Sequence, residues 1–114
     1  WTRTVCLVRD EEVIVTDRFD LRGAMGETSM HLMTPCDVTV EDGVLVLQET
    51  TFGRDRVSGA ARVDYDAEAF DVDVESVEIT DDKLGGVWGD HLNRIVLVAK
   101  HATLHGEWKF RITR

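Results

Sequence analysis

Residues 70–75 read Phe70-Asp71-Val72-Asp73-Val74-Glu75, an unbroken alternation of apolar and acidic side chains. Successive side chains of a β-strand point to opposite faces, so this pattern buries the phenylalanine and the valines and leaves the acids in solvent. The longer acidic run over 64–75 does not fit an EF-hand loop, which needs a glycine at its sixth position and a terminal glutamate in register. The stretch therefore predicts a half-buried strand with a solvated acidic face.

Short apolar or alternating runs of this kind recur along the whole chain, separated by turn residues about every 8–12 positions. Residues 9–12, 22–26 and 41–43 have the composition of tight turns. Helix signals are weak, with at most one turn over 66–70, and we expect loops at 52–58, 81–90 and 101–106. The pattern predicts an all-β, antiparallel two-sheet β-sandwich of about nine strands. The predicted strands are 2–8, 13–21, 27–34, 37–40, 44–51, 58–65, 69–79, 92–100 and 107–113.

Length and charge limit the organisation and the partners. A chain of 114 residues has room for one hydrophobic core, so we predict a single domain over 1–114. Its net charge of -9 disfavours nucleic acid and anionic membrane surfaces as partners. No apolar run approaches the roughly 18 residues that a membrane-spanning helix needs. Because the chain starts at Trp1 without a methionine, we expect it to be a piece of a longer polypeptide, and its cellular compartment stays open.

Four of the predicted strands are apolar on both faces. This is unusual in a sandwich, where one face of each sheet is normally exposed to solvent. Either the chain's own loops and strand crossings cover the second face, or one sheet docks on a missing domain or on a second copy of the chain. A dimer is therefore one of the open possibilities. The strands concerned carry residues 5–8, 13–15, 44–47 and 95–99.

Residues that could carry chemistry are few. No nucleophile motif, phosphate-binding loop or paired cysteine motif occurs, so we predict no catalytic residue. Cys6 and Cys36 lie in or beside apolar segments and are interpreted as two buried thiols, with a disulfide as the alternative. His101 and His105 are expected in a loop near a turn. Trp88 is the candidate carbohydrate-binding platform, because aromatic faces stack on sugar rings. The alternative is a tryptophan that plugs one end of the sandwich, where glycines let the backbone approach.

An ordered set of segments resembles the C-terminal β-sandwich of bacterial heparinase II/III-like polysaccharide lyases. An arginine-bearing strand leads to a second strand with an Asp-Arg pair, and a His-Leu pair follows shortly before a proline. The matching segments are residues 1–5, 13–19, 31–35, 88–90 and 94–95.

This resemblance implies a parent enzyme that cleaves uronic-acid-containing polysaccharide by β-elimination. Its acid-base tyrosine and most substrate contacts would lie in a preceding helical toroid, and the only tyrosine here, Tyr65, matches no catalytic position. The sandwich would then be a non-catalytic module that buttresses the helical domain and walls the substrate cleft. Some relatives hold a divalent metal such as zinc in this sandwich, and Asp17 and His31 are the matching positions of an incomplete site. The open alternatives are a stand-alone carbohydrate-binding module and an interaction or dimerisation sandwich.

Overall fold

The computed structural model describes residues 1–23 and 25–114, and the regular elements of the described part are strands apart from one short helix. The predicted turn over 22–26 includes Ala24, which lies outside the described residues, and within it Gly26 has a positive φ of 117°. The elements are β1 (Thr2–Val8), β2 (Glu12–Asp20), β3 (Ser29–Thr34), β4 (Val38–Glu41), β5 (Val44–Leu47), β6 (Thr51–Phe52), β7 (Arg56–Val57), β8 (Ala61–Asp64), β9 (Phe70–Glu78), α1 (Asp82–Trp88), β10 (His91–Ala99) and β11 (His105–Thr113).

Two antiparallel sheets form the body of the domain. One has six strands in the order β1-β2-β11-β8-β5-β4, and the other has three in the order β3-β10-β9. A separate two-stranded hairpin joins β6 to β7. The predicted all-β antiparallel sandwich is confirmed, and the strand count exceeds nine because the short strands β6 and β7 were predicted as the end of one strand and a loop.

The core lies between the two sheets. It is a cluster of buried apolar side chains, of which β3, β9 and β10 supply four and β5, β8 and β11 supply three. Those residues are Met30, Phe70, Ile95 and Leu97 on one side, and Leu45, Val63 and Phe110 on the other. The strand β1 contributes no buried residue.

The alternation of residues 70–75 behaves as predicted. Phe70 is buried, Val72 and Val74 pack against the core, and Asp71 and Asp73 are exposed. The predicted tight turns also form. Glu11 N donates to Val8 O at 3.1 Å beside Asp10, which has a positive φ of 64°, and Gly43 has a φ of 75°.

The prediction of a loop over 81–90 was wrong, because residues 82–88 form the helix α1. Asp81 caps its N-terminus, where the carboxylate accepts from Lys83 N at 3.0 Å and from Leu84 N at 2.9 Å. Such a cap satisfies backbone N–H groups that the first turn otherwise leaves free. Two glycines in the middle of α1 lower its intrinsic helix propensity and hid it from the sequence pattern.

Candidate interaction surface

A row of apolar side chains crosses the inner face of the six-stranded sheet, and its burial changes along the row. The residues are cross-strand neighbours, in the order Leu7, Val13, Ile112, Val63, Leu45 and Val40. Leu45 and Val63 in the middle are buried, whereas Leu7 at one end is 72% exposed and Val40 at the other is 43% exposed. The three-stranded sheet therefore covers the centre of the larger sheet and leaves its two edges open.

The open edge at β1 is the more apolar of the two. Val5 lies opposite Val15, which packs against the core, yet Val5 itself is 62% exposed. Trp1, just before β1, is 54% exposed. We call Trp1, Val5, Leu7 and the free backbone edge of β1 the β1 margin. It presents to solvent the kind of surface that a sandwich normally buries.

A groove continues the β1 margin at the hairpin end. It has a volume of about 230 Å³, and Leu7, Val13 and Ile112 form its apolar wall. Asp10 and Glu11 from the turn after β1 line the same groove. The margin is thus apolar along β1, and the turn carries a net negative charge although Arg9 precedes the two acids and Arg114 also lines the groove.

An ion pair fixes β1 to β2 from the inner face. Asp17 is fully buried, and both of its carboxylate oxygens accept from Arg3, Oδ1 from Nε at 2.8 Å and Oδ2 from Nη2 at 2.9 Å. Trp1 Nε1 also donates to Oδ1, at 2.9 Å. Burial raises the pKa of Asp17, but the hydrogen bonds from Arg3 and Trp1 and the charge of Arg3 outweigh it, so the pKa is lowered from 3.8. The carboxylate is held ionised, and its oxygens are already in use.

A chain of aromatic rings leads from the core to the β1 margin. Trp1 stacks on Phe19 with ring centroids 5.0 Å apart, and Phe19 lies 4.7 Å from Trp108. Trp108 in turn contacts Phe70 of the core at 5.0 Å. A Cβ at Gly106 would lie 2.9 Å from the ring of Phe19, so the missing side chain makes room for this cluster. The cluster anchors the exposed Trp1 to the core.

The opposite, outer face of the same sheet carries ion pairs between β2 and β11. Arg18 pairs with Glu107, Arg111 with Glu12, and His105 Nδ1 lies 2.6 Å from Asp20 Oδ1. His105 begins β11, so the prediction that it lies in a loop was wrong. The large apolar side chains that β1 exposes to solvent, Val5 and Leu7, lie on the inner side of the sheet.

The structure does not bring together the two residues predicted for a metal site. Asp17 lies within β2 and faces the inside of the sandwich. His31 lies on β3 opposite Val96, on the outer face of the other sheet, where its Nε2 is 3.0 Å from Ser29 Oγ. Within 1–23 and 25–114, no group of three or more His, Cys, Asp or Glu side chains is arranged to hold a metal. The divalent metal that the resemblance implies stays a prediction.

Trp88, the predicted carbohydrate platform, ends α1 and packs on the β6–β7 hairpin. Its ring stacks on Phe52 with centroids 5.6 Å apart and planes 12° apart, and the residue is 37% exposed. A Cβ at Gly53 would come within 2.2 Å of Val87 O, so glycine allows the close backbone approach. The indole therefore packs on the hairpin, and the plug at one end of the sandwich that the sequence offered as the alternative stays a prediction. One ring face is occupied, and a carbohydrate role stays a prediction.

A second groove lies on the other side of α1. It has a volume of about 340 Å³ and is lined mainly by apolar side chains. They are Val77 of β9, Ile79 just after β9, Leu84 and Trp88 of α1, and Leu92 of β10.

The two cysteines differ from the prediction of two buried thiols. Both are free, but Cys6 is exposed on β1 and only Cys36 is buried, with its Sγ 3.2 Å from Ser58 Oγ. The apolar neighbours of Cys6 suggested burial because local sequence does not distinguish an edge strand from a central one.

The partner of Asp17 was also missed, although the sequence held a signal for it. Counting back from the turn at residues 9–11 pairs Val8 with Glu12 and hence Arg3 with Asp17. An arginine opposite an aspartate on one face of a hairpin predicts an ion pair.

Among the residues that the structure describes, no helix has the length and apolar character needed to cross a membrane. No protein-family model matches the chain, and no curated protein matches it either.

Proposed function

We propose that this domain is an interaction module that works by docking its β1 margin on a protein partner. The observation that carries the proposal is the apolar row on the inner face of the six-stranded sheet, buried at Leu45 and exposed at Leu7. Contiguous exposed apolar surface next to a sheet edge is typical of association sites. This is the interaction sandwich that the sequence left open.

The energy available at the margin is substantial. Burying a valine or leucine side chain from full exposure stabilises a structure by about 1.5–3 kcal/mol. Val5 and Leu7 keep most of their surface in water, so the domain's own fold gains little from them. A partner that covered both side chains would gain that energy, less the entropic cost of association.

A narrower proposal concerns the parent protein. We propose that the domain belongs to a heparinase II/III-like polysaccharide lyase, in which the helical domain performs β-elimination. The support is the ordered set of segments described above, together with a β-sandwich fold of the kind that the resemblance implies. The test is formation of unsaturated uronate, followed by absorbance. The isolated domain should be inactive and the complete gene product active. Turnover by the isolated domain, or none by the complete product, would contradict this proposal.

Site-specific photo-crosslinking tests the docking proposal. A benzophenone amino acid replaces Leu7 in one variant and Val57 in the other, and both are produced in the organism that encodes the protein. Val57 is a matched control because it is 63% exposed and lies on β7, in a two-stranded sheet that does not include β1. Irradiation should give a defined protein adduct from position 7 and none from position 57. No adduct from position 7 would overturn the proposal.

A further inference from the structure

We propose that the partner of the β1 margin is a second copy of this chain, joined by antiparallel pairing of the two β1 strands across a two-fold axis. The proposal rests on the proposed function and names the partner for the same surface. It follows from a comparison of the sheet edges and from the distribution of charge near β1.

The four edges of the two main sheets are not equally open to pairing. Natural edge strands avoid association by being short, by carrying charges or by ending at proline. The edge β4 has four residues and runs into Glu41 and Asp42, and β9 carries outward-facing acids. The edge β3 buries Met30 and Thr34 and is followed by Pro35.

None of these protections applies to β1. It has seven residues, no proline and a single charged side chain, Arg3. That charge is directed inward and neutralised by Asp17. In a paired strand, alternate residues direct their N–H and C=O groups away from the neighbour they already have. The free side of β1 therefore offers main-chain hydrogen bonds that only another extended strand can use in full.

A second β1 satisfies this requirement, and its side chains suit the same surface. A two-fold axis at Cys6, near the middle of the strand, sets Val5 of each copy opposite Leu7 of the other. Apolar cross-strand pairs of this kind stabilise a sheet by about 0.2–1 kcal/mol each, beyond the hydrogen bonds. The contact is then isologous, as in most homodimers.

The acidic turn decides the direction of pairing. Asp10 lies four residues beyond Cys6, so antiparallel pairing about Cys6 separates the two turns by about eight residues, or roughly 26 Å at about 3.3 Å per residue. That separation exceeds the Debye length of about 10 Å at 0.1 M salt. Each acidic turn then lies toward the Arg3 end of the other strand. Parallel pairing would place the two acidic turns side by side.

Light scattering over a dilution series tests the proposal with three proteins, the natural chain, Leu7→Lys and Val57→Lys. The natural chain should pass from 12.9 kDa to twice that mass as concentration rises. Leu7→Lys should weaken dimerisation at least about tenfold, because each interface would hold unpaired lysines. Val57→Lys adds the same charge at a similarly exposed site and should change the dissociation constant of the dimer by less than about twofold. Circular dichroism confirms that each variant is folded.

Added salt gives an independent readout. Two copies that each carry a charge of -9 repel one another, so salt should strengthen a dimer held by strand pairing and apolar contacts. Dissociation on adding salt would overturn the proposal, as would equal weakening by Leu7→Lys and Val57→Lys.

The outcomes separate this inference from the proposed function. The chain could stay at 12.9 kDa at every concentration and still give an adduct from position 7 to a different protein. That result would overturn the proposal that the partner is a second copy and would support the interaction module. A monomer that gives no adduct overturns both.

Discussion

Arg3 and Asp17 lie directly opposite one another on β1 and β2, and the arginine donates to both oxygens of a carboxylate that has no solvent exposure. The guanidinium itself remains half exposed. This pair, with the hydrogen bond from Trp1, ties an edge strand that buries no residue of its own to the rest of the sheet. It keeps β1 in place while leaving Val5 and Leu7 in solvent.

Asp17→Asn should destabilise the domain by about 3 kcal/mol near neutral pH, at the low end for a buried ion pair because Arg3 reaches solvent. The pKa of Asp17 is lowered in the folded state, so its stabilisation is complete above the ordinary value of 3.8 and is lost as pH falls through the lowered pKa. Urea unfolding of the natural chain and of Asp17→Asn is measured from pH 7 to pH 2. The difference between their free energies of unfolding should shrink at the acid end. A difference that is independent of pH would contradict this role of the carboxylate.

Leu7 and Leu45 stand in the same apolar row but at opposite extremes of exposure. Leu45→Ala should cost about 2–5 kcal/mol, because it removes buried methyl groups and leaves a cavity. Leu7→Ala should cost less than about 0.5 kcal/mol in dilute solution, where the margin has no partner. Urea unfolding at low protein concentration measures both. Equal costs would mean that the β1 margin belongs to the domain's own core.

Gly53 has a φ of 55° and lies against the backbone of Val87. Gly53→Ala should cost about 1–3 kcal/mol, because the new Cβ meets Val87 O in a backbone conformation that favours glycine. Gly59→Ala is the matched control, since nothing lies within 4 Å of its added Cβ. Thermal unfolding of the two variants checks the prediction. Equal melting temperatures would show that α1 and the β6–β7 hairpin are not held together at this point.

Trp88→Ala should lower the free energy of unfolding by about 1–2 kcal/mol through loss of the stack on Phe52. If Trp88 only packs, neither the natural chain nor the variant should bind uronate-containing or neutral polysaccharides in calorimetry. Binding by the natural chain that disappears in Trp88→Ala would instead establish the carbohydrate-binding alternative. Phe52→Leu, which keeps an apolar neighbour for the indole, is the control for an indirect effect.

The sequence predicts the strands well where the pattern is local. The bounds of β1 follow from a short apolar run that ends at a turn signal, and the inward face of β9 follows from period-two alternation. Neither needs knowledge of the partner strands. The hairpin turn at residues 9–11 also sets the register that brings Arg3 to Asp17. The helix α1 was missed because Gly85 and Gly86 lower helix propensity, although Asp81 already offered a capping signal.

The β1 margin was not predictable in this way. Four strands are apolar on both faces, and only the order of strands in space decides which of them lies at an edge. β11, the last strand in the chain, inserts between β2 and β8, and β1 lies beyond β2 at the edge of the six-stranded sheet. Such long-range pairing leaves no mark within a single strand. For the same reason Cys6 was expected to be buried and is exposed.

Hydrogen exchange across β1 tests the docking role of the margin most directly. The amides of residues 2–8 are followed by mass spectrometry at increasing protein concentration, with residues 71–77 of the acidic edge strand β9 as an internal control. Pairing of two β1 strands predicts that exchange over residues 2–8 slows as concentration rises, while exchange over residues 71–77 stays constant. Exchange over residues 2–8 that is equally fast at every concentration would contradict it.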